Sequence, residues 1–250
     1  MIWIGTSGFQ YPEWKGNFYP EKMSTAKMLA FYAQQFSTTE INYTFGRLPS
    51  DKTLANWIAQ TPEQFRFTLK APEHITHHQH LRDCEPDLQS FADAACKLGS
   101  KRGTLLFQLP PYFRCDLPVL ETFLALIPQS VMPAFEFRHS SWFTDAVFNA
   151  LRQYNATLCI ADTEKLTTPT VFTNATGYFR LRRVAYSADE LRRVADSILE
   201  HSPHLTDIYV YFKHEEAGTG PRFAKDLMET LGTSKPTTIE PREQELPFDN

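Results

Sequence analysis

The sequence predicts an α/β fold of the (β/α)8 TIM-barrel class, on three observations. Strand-like segments alternate with segments of helical period along the chain, eight strands to seven or eight helices, with no linker between them. The length of 250 residues is what one such barrel needs. No Gly-x-Gly-x-x-Gly follows the first strand and no Gly-x-x-x-x-Gly-Lys-[Ser/Thr] occurs anywhere. That lowers the dinucleotide and P-loop forms of the runner-up, a doubly wound open sheet.

Ile2 to Gly5 reads as the first strand, and Thr6-Ser7-Gly8 with Tyr11-Pro12 and Tyr19-Pro20 as a long loop. A helix starts near Ser24 and lines up Met28, Leu29, Tyr32 and Phe36. Thr38 to Asn42 is the second strand, with Glu40 and Asn42 on one side and Ile41 on the other. Pro49 and Ser50 open a helix bearing Leu54, Trp57 and Ile58. Phe65 to Lys70 is the third strand: Phe65, Phe67 and Leu69 face one way, Arg66, Thr68 and Lys70 the other. Its exit loop is Ala71-Pro72-Glu73-His74. A helix carrying Leu88, Phe91, Ala92, Ala95 and Leu98 ends at Gly99, a left-handed cap.

Thr104 to Leu109 is the fourth strand, stopped by Pro110-Pro111, and Leu120, Phe123, Leu124 and Ile127 form the next helical face. The fifth strand is the stretch Ala134-Phe135-Glu136-Phe137-Arg138, breaking into His139-Ser140-Ser141-Trp142. A helix with Val147, Phe148, Leu151 and Tyr154 follows. Ala156 to Ala161 is the sixth strand, with Asp162 at its carboxyl end. Thr163 to Asn174 lacks a helical period, so one crossover helix is short or missing. Tyr178 to Arg182 is the seventh strand, and Ser187 with Glu190 makes a capping box for the next helix. Asp207 to Phe212 is the eighth; Lys213 and a loop with Gly218 and Gly220 lead to Pro221 as first residue of the last helix. One domain over 1–231 and a Pro- and charge-rich tail over 232–250 are expected.

A hydrophobic content of 42% and 22% charged residues are ordinary for a globular protein with a substantial core. The net charge of -4 argues against broad, sequence-indifferent coating of nucleic acid. Cys84, Cys96, Cys115 and Cys159 have neither CxxC nor finger spacing, so they read as reduced structural thiols. No run approaches the roughly 20 apolar residues of a membrane span, and the start lacks a leader pattern. A cytoplasmic protein without membrane contact is expected.

Strand parity points to a pocket. In a barrel strand one side packs on the helices, while the other fills the interior and lines the mouth at the carboxyl end. This places Glu40, Asn42, Lys70, Gln108, Glu136, Arg138, Arg180, Arg182 and Lys213 in or near one cavity. Five positive charges against two negative leave +3 there, so a small anionic ligand, phosphorylated or carboxylated, is the natural partner. Asp162 joins by position only, because the sixth strand is apolar on both sides. Gly218 and Gly220 would offer backbone N–H groups to a phosphate at a helix start.

The chemistry expected is acid–base catalysis without a metal or cofactor, as in a hydrolase, lyase or isomerase. Glu136 serves as base or acid, Glu40 as its partner, with Asp162 and His139 beside them. Arg138, Arg180 and Arg182 hold the anion, and Asn42, Lys70, His74, Gln108, Trp142 and Lys213 complete the lining. A salt bridge that merely fills the barrel is the structural alternative for the Glu136–Arg138 pair. A nucleic-acid-binding protein using the basic mouth and aromatic loops is one functional alternative. A metal-dependent phosphoesterase holding its ion on Glu40, Glu136 and Asp162 with His74 or His139 is another. The cluster His74, His77, His78 and His80 reads as a solvated loop.

Several of these residues also carry a family likeness. Gly5-Thr6-Ser7-Gly8 with Tyr11-Pro12 and Trp14, Phe18-Tyr19-Pro20, Glu40-Ile41-Asn42 with Thr44-Phe45 and Leu48-Pro49, and Phe67 to Pro72 come first in the chain. Ile75-Thr76-His77, Leu106 to Pro111, Glu136-Phe137-Arg138-His139 with Ser141-Trp142, and Ala161-Asp162 follow. Together they resemble the DUF72 (YecE-like) family over residues 2 to about 228. The resemblance implies a TIM barrel of undetermined function. The family's seventh strand usually reads Arg-Leu-His-Gly where this chain has Arg180-Leu181-Arg182-Arg183, and its eighth ends in Asn-Asn or Asn-Asp where this chain has Lys213-His214-Glu215. Both departures change pocket polarity.

Overall fold

Each strand of this protein alternates a residue that packs outward with one that packs inward, and eight of them close into a parallel barrel in chain order. The structure, a computed structural model, describes residues 1–214 and 218–233. The strands are β1 (Ile2–Ser7), β2 (Thr38–Ile41), β3 (Arg66–Lys70), β4 (Arg102–Gln108), β5 (Pro133–Glu136), β6 (Thr157–Asp162), β7 (Thr176–Leu181) and β8 (Asp207–Phe212). Pairing of β8 with β1, from Ile2 opposite Ile208 to Thr6 opposite Phe212, completes the closure. Around them lie α1 (Thr25–Ala33), α2 (Asp51–Ala59), α3 (Glu85–Cys96), α4 (Leu117–Leu126), α5 (Asp145–Gln153), α6 (Ala188–His201) and α7 (Thr219–Thr230).

No helix separates β6 from β7, as the missing period over Thr163 to Asn174 predicts. Threonine hydroxyls hold the crossover instead. Thr173 Oγ1 accepts from Leu158 N at 2.9 Å and Thr168 Oγ1 from Ala161 N at 3.2 Å, tying the returning chain to β6.

Helix starts follow their caps. Ser50, Asp116 and Thr144 accept N-terminal N–H groups of α2, α4 and α5, and the Ser187/Glu190 capping box opens α6. Most strand boundaries shift by one or two residues from expectation: β4 is Arg102–Gln108, β5 ends at Glu136 rather than Arg138, and β7 is Thr176–Leu181. β1 runs on to Ser7 because its pairing with β2 continues to Ser7 opposite Glu40. The last helix starts at Thr219, so Pro221 is its third residue. Of the expected tail over 232–250, residues 234–250 lie outside the described residues.

Two cores result. Outside the barrel, Phe107 and Phe135 stack at 5.3 Å beneath Phe123 of α4; each such buried ring contributes about 1.5–3 kcal/mol. Inside, Trp3, Leu106, Cys159, Tyr178, Tyr209 and Tyr211 belong to a separate buried cluster. The Tyr211 hydroxyl joins the Thr38 hydroxyl at 2.7 Å and the Thr68 hydroxyl at 2.8 Å, so these three lumen hydroxyls satisfy one another. A Cβ on Gly5 would lie 2.1 Å from Thr38 O, which is why β1 approaches β2 there only with glycine. Among the described residues no helix is long and apolar enough to cross a membrane.

Candidate functional site

Arg180 is the third inward position of β7 after Thr176 and Tyr178, and its side chain is fully buried at the carboxyl end of the barrel. Two carboxylates bracket it. Its Nε lies 3.1 and 3.0 Å from the two oxygens of Glu40 and its Nη2 lies 2.7 Å from Glu40 Oε1. On the other side Nη1 donates to Glu136 Oε2 at 2.6 Å. Ser7 completes the Glu40 end: its hydroxyl donates to Glu40 and accepts from Arg180 Nη2 at 3.2 Å and from Asn42 Nδ2 at 2.8 Å. Tyr178 donates to the second Glu40 oxygen at 2.5 Å.

Burial pushes the Glu40 carboxyl up, but the Arg180 guanidinium, helped by the Ser7 and Tyr178 hydroxyls, overcomes this and holds it below the usual carboxylate range. Glu136 is also held below the usual carboxylate range: burial raises it, and Arg180, Arg138 and Arg182 together outweigh that. Both carboxylates are therefore firmly ionised.

Further cations rim this centre. Arg138 Nε donates to Glu136 Oε1 at 2.7 Å and Arg182 Nη1 at 3.3 Å, with side chains 25% and 23% exposed. Arg182 Nε is buried without a hydrogen-bond partner. Burial lowers the proton affinity of Arg182, Glu136 raises it, and crowding by Arg138 and Arg180 lowers it again. Lys70 extends from the end of β3 with Nζ 3.8 Å from the centre of the Phe45 ring. Its amine is pushed down to about 7, first by burial and then by Arg180, with Glu40 and Glu136 opposing. Lys213 follows β8 at the same end, half-buried, its N–H bonded to Leu181 O.

Gln108 ends β4 opposite Glu136 and places its amide nitrogen 3.4 Å from His77 Nε2. His77 belongs to a single wide helical turn, His74–His78, closed by a Gln79 N to His74 O bond of 2.8 Å. Burial and then Lys70 push its imidazole down to about 4, so it is neutral at physiological pH. His77 thus leaves the expected solvated loop, whereas His74 stays exposed and pairs with Asp87 at 2.9 Å, away from the mouth.

Five other expected site residues are not brought in. Asp162 shares the outward phase of Ile160 and pairs with Arg183 at 2.7 Å, which continues to Glu190 of α6 at 3.1 Å. His139 is held in its own turn, with Nδ1 2.8 Å from Ser141 Oγ and accepting from Ser141 N. Trp142 is fully buried: it stacks on outward-facing Phe137 at 4.6 Å and donates its indole N–H to Phe113 O at 2.8 Å. Gly218, left-handed at φ +72°, opens α7 beside Asn17, Phe18 and Lys225. Gly220 is buried where a Cβ would meet His214 O at 2.9 Å, so it serves close packing.

Three contributors lie outside the sequence reading. Ser7 is missed because the first strand is predicted to stop at Gly5; two more residues put it in phase with Trp3 and Gly5. Tyr178 shares the face of Arg180 but carries no charge to flag it. His77 depends on a turn that parity does not describe. No three His, Cys, Asp or Glu side chains converge as a cation site among the described residues, and Glu40 and Glu136 are engaged by guanidinium groups. The donor set of a metal-dependent phosphoesterase is thus not assembled there.

Comparison with known proteins agrees with this architecture. The family model "Protein of unknown function DUF72" matches residues 3–246. The UPF0759 protein YecE of Escherichia coli (strain K12) is 31% identical over 144 residues, covering 57% of this chain and 50% of that protein. The UPF0759 protein YunF of Bacillus subtilis (strain 168) is 28% identical over 152 residues, covering 58% and 53%. The matches thus span about half the length of these curated relatives. A crystal structure of a DUF72 family protein from Thermotoga maritima MSB8 superposes with a TM-score of 0.84 at 27% identity, covering 93% of this chain and 99% of that one. One from Enterococcus faecalis V583 gives 0.81 at 19% identity, covering 97% and 99%, a likeness of fold.

Proposed function

The chain belongs to the DUF72 family of proteins of unknown function, and from the geometry of its barrel mouth we propose that it is a metal-independent acid–base enzyme acting on a small phosphorylated or carboxylated molecule. The observation that carries this reading is the unpartnered Nε of Arg182. A buried donor left unsatisfied costs about 1–3 kcal/mol, more for a charged group, and an anion between Arg182 and Arg138 would remove that cost. It would also relieve the crowding of three guanidinium groups around Glu136.

Roles follow from the charges. Glu40, Arg180 and Glu136 form a fixed anionic–cationic–anionic centre that aims Arg138 and Arg182 at the mouth. Held ionised, Glu136 suits that positioning task better than the proton transfer expected from its place in the sequence. The group whose proton comes and goes near neutrality is Lys70, with neutral His77 and Gln108 beside it.

A thermal-shift series with inorganic phosphate, a sugar phosphate, a dicarboxylate and a short oligonucleotide, each with and without EDTA, tests this. At a hundredfold excess over Kd a ligand adds about 2.7 kcal/mol, or about 5 °C for a chain of this size. The reading expects such a rise with a small anion, indifferent to EDTA and abolished in Arg182→Met. A rise with the oligonucleotide alone, falling steeply with salt, would replace it with nucleic-acid binding. A flat response to every compound would leave the basic residues as internal ion pairs and overturn it.

A further inference from the structure

Lys70 stands apart from the three arginines of the mouth in how its charge is met. Arg180, Arg138 and Arg182 all have carboxylate partners. Lys70 has none among the described residues within ion-pair distance, because Glu40 and Glu136 are drawn onto guanidinium groups. Its Nζ rests on the Phe45 ring, and the edge of that ring contact is shared with His77, whose centroid lies 5.0 Å from Phe45. The groups that face the amine are Arg180, Glu40, Glu136 and Arg138, and the arginines with burial outweigh the carboxylates. An amine in these surroundings loses its proton at a pH where an exposed lysine keeps it.

We infer that Lys70 is a nucleophile that forms an imine with an aldehyde or ketone whose anionic group is held by Arg138 and Arg182. This rests on the anion site proposed above and names the substrate class for it: a small carbonyl compound bearing a phosphate or carboxylate. The neutral Nζ adds its lone pair to the carbonyl carbon, and the π pair moves to oxygen. That oxygen takes one proton from the nitrogen and one from solvent and leaves as water. The nitrogen keeps its other hydrogen as the protonated imine. Such an imine draws electrons from the neighbouring carbon, which supports isomerisation or the making and breaking of a carbon–carbon bond.

The test is reductive trapping on the full chain near neutral pH. The protein is incubated with glyceraldehyde 3-phosphate and sodium cyanoborohydride, and the labelled lysines are located by peptide mass spectrometry. At that pH about half of the Lys70 amine is uncharged, against roughly one part in three thousand for an exposed lysine. Lys70 is therefore expected to label at least about tenfold faster than exposed Lys22 or Lys52, after discounting its lower intrinsic basicity. Excess inorganic phosphate and the Arg182→Met substitution should each slow the labelling of Lys70, and Lys70→Met should leave only the slow background. Label spread over exposed lysines, with Lys70 at or below their level, would overturn the inference. If phosphate still stabilises the fold in that case, the anion site stands and only the imine fails. If Lys70 labels fast with uncharged glyceraldehyde too, and neither phosphate nor Arg182→Met slows it, the nucleophile stands and the anion site fails.

Discussion

Replacing Arg180 by methionine removes the cation that forms ion pairs with both buried carboxylates, and the structure sets the size of the effect. Glu136 keeps Arg138 and Arg182 as donors, but Glu40 is left fully buried with only the Ser7 and Tyr178 hydroxyls. Breaking a buried ion pair in this way costs about 3–5 kcal/mol. At about 2 °C per kcal/mol for a chain of this length, the melting temperature should fall by about 6–10 °C. The sign of the pH dependence is also fixed. In the wild type both carboxylates bind protons less readily folded than unfolded, so their contribution is present above the ordinary value of 4.5 and is lost as pH falls below it. In Arg180→Met, Glu40 binds its proton more readily folded than unfolded, so that variant gains stability as pH falls toward the ordinary value. The gap between the two proteins must therefore narrow on acidification. Adding Glu40→Gln to Arg180→Met should recover most of the loss, and the double-mutant cycle reads the coupling. Thermal unfolding followed by circular dichroism across the acidic range is the assay. A loss under about 2 °C, or a gap that does not change with pH, would refute the reasoning.

Lys70→Met should be more stable than the wild type at neutral pH and below. The unfolded chain holds the Lys70 proton up to its ordinary 10.5 while the folded protein releases it near 7, so wild-type stability climbs between those values and the variant's advantage shrinks there. Parallel melting-temperature curves against pH for the two proteins would contradict the lowered proton affinity of Lys70. Gly5→Ala drives a methyl group to within 2.1 Å of Thr38 O, so β1 and β2 must separate; a loss above about 3 kcal/mol by denaturant titration is expected, and a neutral result would be inconsistent with the close approach. Tyr178→Phe removes one donor to Glu40 and should cost about 1–3 kcal/mol in the same assay, with no loss expected if that hydrogen bond is absent.

Parity made the centre of the site legible. In β7, Phe179 and Leu181 pack outward, so Arg180 had to point inward, and the same alternation in β2 and β5 sent Glu40 and Glu136 to meet it. What parity does not describe is the path of the chain beyond the strands. Trp142 follows a strand end yet folds back onto Phe137, because burying its large ring against the outer core gains more than exposing it at the mouth. Asp162 lies one residue out of phase and finds Arg183, a partner placed by the loop after β7. His77 reaches the mouth through a wide turn whose closing bond joins residues five apart, a spacing that no periodic pattern announces. The number of apolar residues in β6 hid its inward side, which Cys159 and Ala161 line.

The claim that the barrel mouth is an anion site rests on Arg182 most directly, so titration calorimetry of wild type and Arg182→Met with inorganic phosphate addresses it. The geometry predicts one binding event in the wild type and a loss of about tenfold to a hundredfold in affinity in the variant, the worth of a charged hydrogen bond. Equal binding by both proteins, or heat from neither, would contradict it.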